Sequence, residues 1–171
     1  KISLHDHLDG GLRPQTIIEL ADKVGHQLPK DNALELAEWF SVNANSGSLV
    51  QYLETFDHTV AVMQTKEGLE RVAYEAVIDL AAEGVIYAEL RWAPEQHLSR
   101  GLTLDETVEA VQDGLERGME EVAERGGFIR TGQLVTAMRH ADRGDARPAS
   151  LPQRSPRAPL WPVGQYCKRA H

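Results

Sequence analysis

The sequence predicts an α/β domain built on a parallel sheet, and three observations carry that reading. Short runs rich in β-branched and aromatic residues alternate with longer stretches whose apolar residues recur every three or four positions. Their order is strand, helices, strand, helix, strand, the pattern of βαβ units. The middle strand opens nearly continuously apolar, as one covered on both faces does. A doubly wound sheet and a (β/α)8 barrel both satisfy these observations, and three strands do not choose between them.

Ile2-Ser3-Leu4-His5 reads as a short first strand. Pro14 suits the first turn of a helix, where its missing N–H costs nothing. Ile17, Ile18, Leu20, Ala21 and Val24 follow at helical spacing, and Gly25 stands where a helix closes. A second helix is predicted from Ala33 to Val42, and Asn43 to Gly47 is a loop by its turn chemistry. Ser48 caps a third helix carrying Leu49, Tyr52, Leu53, Phe56 and Val60 on one side. A fourth runs from Lys66 to Glu83, with Leu69, Val72, Ala73, Ala76, Val77 and Leu80 inward and Gly84 as its stop. Val85 to Trp92 is the second strand. Thr103-Leu104-Asp105-Glu106 is a capping box opening a helix to about Arg125, and Phe128 to Met138 is the third strand.

Composition narrows the function classes. The chain has 171 residues, 42% hydrophobic and 26% charged, which is ordinary for a soluble globular domain. No apolar run approaches the roughly 20 residues that cross a bilayer, and the first residues do not read as a secretory signal, so no membrane partner is expected. A net charge of −8 argues against nucleic acid as the main partner. The single cysteine, Cys167, has no internal disulfide partner, which favours the cytoplasm. Charge is unevenly spread: residues 144–171 carry +4, leaving −12 on the first 143. That tail also holds five of the eight prolines and has no periodicity of either kind.

The chemistry is concentrated in Ser3-Leu4-His5-Asp6-His7-Leu8-Asp9-Gly10-Gly11. Side chains alternate along a strand, so His5 and His7 can aim both imidazoles at one point, with Asp9 continuing the row. Two neutral imidazoles on one face are good ligands for Zn²⁺ or a similar ion. The plainer reading is two surface histidines beside a Gly-Gly turn, and residue types alone leave both open.

Three further segments give the motif a context: Tyr52-Leu53-Glu54-Thr55-Phe56-Asp57, Tyr87 to Glu95 (YAELRWAPE), and Met138-Arg139-His140. In order and spacing, these four segments resemble the adenosine deaminase family of metal-dependent amidohydrolases over about residues 1–143. The resemblance implies the N-terminal portion of a (β/α)8 TIM-type barrel, about three of its eight strands, with extra helices after the first. It implies hydrolytic deamination of adenosine to inosine and ammonia, with Zn as the cofactor and a small-molecule nucleoside as the partner. His5 and His7 would then be metal ligands, and Asp9 would meet the ribose 5′-hydroxyl. Leu49, Tyr52, Leu53 and Phe56 would lie on an apolar helix over the nucleoside, though ordinary core residues use the same spacing. Glu89, Arg91 and His140 would support the site electrostatically, a buried Arg–Glu pair within one strand being the plainer account of the first two.

The family's third zinc histidine, its proton-shuttling glutamate, a further catalytic histidine and an aspartate ligand are not found after residue 143, where only His171 and Asp145 are of those types. The expectation is a partial deaminase domain over 1–143, inactive alone, joined to a Pro/Arg-rich tail over 144–171. That tail is either disordered or the product of a reading-frame slip. Two other functions stay open: a deaminase of the same family acting on adenine or a modified adenosine, and a non-catalytic remnant or tail-mediated binding protein.

Overall fold

A computed structural model describes residues 1–138. His140 and the tail from 144 onward lie outside the described residues. In chain order the elements are strand β1 (Ile2–His7), a 3-10 turn (Leu8–Gly10), helices α1 (Pro14–Val24), α2 (Ala33–Ala44), α3 (Leu49–Val62) and α4 (Lys66–Ala82), strand β2 (Tyr87–Trp92), a second 3-10 turn (Pro94–His97), helix α5 (Leu104–Glu124) and strand β3 (Arg130–Val135). The three strands form one parallel sheet in the order β1-β2-β3.

The helix boundaries follow local chemistry. Pro14 opens α1, and Gly25, at φ 68°, closes it by donating its N–H to Ala21 and Asp22. Asn32, Ser48 and Thr65 cap α2, α3 and α4 through side-chain oxygens. Thr103 and Glu106 satisfy each other's backbone N–H groups at the start of α5. Both later strands are shorter than their sequence suggests. Val85 is buried, and its N–H goes to Leu80 at the end of α4, so β2 begins only at Tyr87. Phe128 is mostly exposed, and Gly127 donates back to Val122, so β3 begins at Arg130.

Alternation splits β2 into two faces. Ala88, Leu90 and Trp92 are buried with the helices, whereas Tyr87, Glu89 and Arg91 stand on the open face. The helix side holds the core, in which Leu69, Val72, Ala73 and Val77 of α4 cluster with Val111 and Leu115 of α5. Two glycines let these helices come close. A methyl group on Gly114 would lie 2.2 Å from the Glu70 carbonyl oxygen, and one on Gly118 would lie 2.7 Å from Val77 Cβ. No helix among the described residues is long and apolar enough to cross a membrane.

His97 is a fully buried polar member of this packing, its ring 5.5 Å from that of Trp92. Nδ1 lies 3.0 Å from the Met63 carbonyl, which only accepts, so Nδ1 carries the proton and Nε2 is left without a partner. Burial drives its pKa down to about 4.

Two expectations follow. Gly114→Ala forces α5 away from α4 and lowers stability by about 1–3 kcal/mol. Gly132→Ala, where an added methyl meets nothing within 4 Å, changes it by less than about 0.5 kcal/mol; urea midpoints compare the two. For His97, the unfolded imidazole takes up a proton near pH 6.5 and the folded one only near 4. Native stability therefore falls as pH drops through that window, by up to about 3 kcal/mol. His97→Asn, which keeps a donor for Met63, flattens the fall of the urea midpoint between those pH values.

Candidate active site

The site begins with an irregularity in β1. Ser3 pairs with Ala88 and Asp6 with Leu90, so Leu4 and His5 together stand opposite the single residue Glu89. His5 takes up the extra residue in the left-handed region, at φ 62°, a conformation that costs a non-glycine residue about 1–2 kcal/mol. This corrects the simple alternation expected from sequence. Strict alternation would put His7 on the same face as Ser3, against the helices. The extra residue reverses the phase, so that Ser3 and Asp6 share the helix side, where the Ser3 hydroxyl donates to Asp6 at 3.0 Å. His7 then registers with Arg91 on the open face. The His5 and His7 rings lie 5.4 Å apart, tilted by 58°.

Asp9 does not continue the strand. It sits in the 3-10 turn, 7% exposed, with Oδ1 3.5 Å from His7 Nδ1. That distance suits an ion pair and is too long for a good hydrogen bond; Oδ1 has no hydrogen-bond partner. Burial raises the Asp9 pKa, and the nearby His7 and Arg91 partly oppose the rise. Arg91 places Nη1 3.4 and 3.5 Å from the two ring nitrogens of His7. Glu89 instead accepts from the Tyr87 hydroxyl at 3.0 Å, so these two residues turn to different partners and not to each other.

His5, His7 and Asp9 border a cleft of about 570 Å³ at the C-terminal end of β1, walled by α1, α2 and α3. Parallel α/β sheets bind ligands at that end of their strands. Phe56 meets His7 edge-on at 6.3 Å, and Tyr52 meets Phe56 at 5.3 Å. Gly10 faces the Phe56 ring, which an added methyl would touch at 3.7 Å.

Helix α3 departs from its expected orientation. Leu49, Leu53 and Val50 are exposed and do not line the cleft, Tyr52 and Phe56 do line it, and the buried face is Thr55, Thr59 and Val62. The threonines tolerate burial because each hydroxyl donates to a carbonyl one turn back, Thr55 to Tyr52 at 2.6 Å and Thr59 to Phe56 at 3.2 Å. Thr55, Thr59, Phe40 and Ser41 also line the cleft and were missed from sequence. The only available signal was the threonines' four-residue spacing, and side-chain type obscured it.

An ion network fixes α1, which carries Pro14 and Ile17 into the cleft wall. Thr16 donates to the buried Glu75 of α4 at 2.6 Å, Arg71 bridges Glu75 at 2.9 Å and Glu19 at 2.7 Å, and Arg13 grips Asp79 through two nitrogens. As for a metal, His5 and His7 offer two imidazoles whose ring centroids lie 5.4 Å apart. Among the described residues no set of three or more His, Cys, Asp or Glu is gathered for one. The pair therefore fits part of a ligand set, since catalytic zinc sites use three protein ligands or more.

Comparison with known proteins agrees with this fold. The model of the adenosine deaminase family matches residues 1–150. Adenosine deaminase 1 of Streptomyces coelicolor is 58% identical over 144 residues, covering 84% of this chain and 36% of that protein. Among solved structures, the adenine deaminase of Arthrobacter aurescens superposes with a TM-score of 0.60 at 28% identity, over 78% of this chain and 38% of that one. The Arabidopsis N6-mAMP deaminase gives 0.60 at 31% identity, over 79% and 40%. The chain thus spans well under half the length of the relatives it matches. Its parallel three-stranded sheet is the opening portion of their (β/α)8 barrel. With its fold and most of its length accounted for in this way, the chain belongs to the adenosine deaminase family.

Proposed function

We propose that residues 1–143 supply one wall of the active site of a zinc-dependent hydrolase that deaminates adenosine. The observation that carries this reading is Asp9: a carboxylate 7% exposed, one oxygen unpartnered, bordering a cleft beside two imidazoles. A buried acceptor without a donor is costly, and a ligand hydroxyl would relieve it.

In this reading His5 and His7 hold the zinc as neutral imidazoles. When bound, the ion supplies a water made acidic enough to attack at neutral pH. Arg91 rests against the His7 ring and limits its rotation. Asp9 accepts the ribose 5′-hydroxyl, and Tyr52 and Phe56 shield the base from solvent. Leu49 and Leu53, exposed on the same helix, come into contact with substrate only if α3 moves inward. The proton shuttle and the remaining metal ligands are not among these residues, so the 171-residue chain does not turn over substrate by itself. The compositional change near Gly144 supports a domain boundary there. The lone cysteine supports a cytoplasmic setting.

A second reading, deamination of free adenine or an N6-modified adenosine monophosphate, draws on the names of the two solved relatives. Asp9 favours a substrate with a ribose.

The test is a chimera carrying residues 1–138 ahead of the matching remainder of the Streptomyces coelicolor enzyme, assayed on adenosine, adenine and N6-methyl-AMP beside the 171-residue chain. The chimera is expected to prefer adenosine and the short chain to be inactive; an active short chain would overturn the incomplete-site reading. In the chimera, Asp9→Ala is expected to raise KM for adenosine at least about tenfold, from loss of a charge-assisted hydrogen bond, while leaving that for adenine little changed. Equal effects on both substrates would sink the ribose contact. His5→Ala and His7→Ala should each lower bound zinc, measured by elemental analysis after dialysis.

A further inference from the structure

Gln64, between α3 and α4, is a buried amide with every hydrogen-bonding position filled. It is 4% exposed. Its Nε2 donates to the Val60 carbonyl of α3 and to the Gln96 carbonyl of the turn after β2, both at 2.8 Å. Its Oε1 accepts from the Ser99 backbone N–H at 3.1 Å and from the Ser99 hydroxyl at 2.7 Å. That is the full capacity of a side-chain amide. Beside it, His97 Nδ1 donates to the Met63 carbonyl at 3.0 Å. The last turn of α3 is thereby fastened to the segment after β2. The first half of the helix leans little on the core, since Leu49, Val50 and Leu53 are exposed.

We infer that Gln64 is a positioning residue for the cleft, fixing the placement of Tyr52 and Phe56 over the histidines. The inference rests on the deaminase reading of that cleft. Gln64 does not line the cleft itself, so it acts through α3. A helix rises about 1.5 Å per residue, which puts Phe56 about 6 Å and Tyr52 about 12 Å along the axis from the anchored Val60. A small swing at the anchor therefore displaces both rings, Tyr52 the more. The other end of the tie is firm: residues 96–99 follow the buried Trp92, Ala93 and Pro94, and His97 is fully buried. Both walls of the cleft are thus referred to the end of β2, whose Arg91 meets His7. Without the amide, the Gln96 carbonyl and the two Ser99 donors lose their partner, and the tie opens. Substrate binding then weakens while the chemical step is kept, because His5 and His7 are held by β1 and β2.

Kinetics in the chimera and hydrogen exchange in the 171-residue chain test this. Gln64→Met keeps the side chain's length and removes all its hydrogen bonds. It is expected to raise KM for adenosine at least about tenfold with kcat within about twofold. The Tyr52 to Phe56 amides should exchange at least about tenfold faster, and those of α4 should not. Gln133→Met is the control for a merely structural role. Its amide lies behind the sheet, accepting from Trp92 Nε1 at 3.1 Å and donating to the Val108 carbonyl at 3.2 Å and to Gln112 at 3.0 Å. Its loss should leave KM and α3 exchange unchanged. Equal effects of the two variants, or unchanged α3 exchange in Gln64→Met, would overturn the inference. A chimera inactive on every substrate defeats the deaminase reading alone, and exchange then decides for Gln64. If Gln64→Met loses its circular-dichroism signal, Ser99→Ala, which removes one donor, takes its place: faster α3 exchange supports the inference and unchanged exchange refutes it.

Discussion

The two-against-one pairing of Leu4 and His5 with Glu89 governs what the end of β1 presents. Alternation along a strand is strict, so one additional residue moves everything after it to the opposite face. Ser3 and Asp6 therefore meet on the helix side, and His7 reaches Arg91. The cost is one non-glycine residue, His5, at φ 62°. Backbone strain of this sort is common where a fold must aim a particular side chain, and bulges recur beside active sites for that reason. The strand's last residues thus serve geometry more than pairing.

The surrounding helices make that geometry worth holding. Helix α1 is bound to α4 by charges that are mutually satisfied, and Glu75, nearly buried, is tolerated because Thr16 and Arg71 both donate to it. Helix α4 is in turn seated on α5 through Gly114 and Gly118, where backbone and side chains leave no room for a methyl group. Among the described residues the most closely packed part therefore lies behind the sheet. On the cleft side, α3 rests on threonines and keeps much of its apolar surface in solvent. That distribution lets Tyr52 and Phe56 stand over the histidines without being locked into the core.

The open face of the sheet points to the same architecture. Ile2, Leu4 and Tyr87 are exposed there, and both outer strands present one unpaired edge within the described residues. In relatives that are more than twice as long, closure of a barrel is what covers such surface. Family membership and the exposed apolar face of the sheet therefore describe one circumstance. The residues that position His5 and His7 are local to β1 and β2, and barrel active sites draw on the ends of several strands.

Sequence by itself determined the elements and their class. Capping residues, Pro14, Gly25, Gly84 and helical periodicity are local signals, and they marked the helices to within a few residues. The His-x-His-x-Asp segment was equally legible because its residue types are unusual together. Tertiary structure alone decided the register of β1, since a bulge depends on which residue of β2 stands opposite and leaves no mark in the strand's own residues. It also decided which side of α3 is buried, because a threonine is polar by composition yet apolar in effect once its hydroxyl is bonded to its own helix. It decided the pairing of His26 with His58 as well, residues 32 positions apart that only the packing of α1 against α3 brings together. Local patterns reveal what each segment prefers, whereas which groups face one another is fixed by how the segments pack.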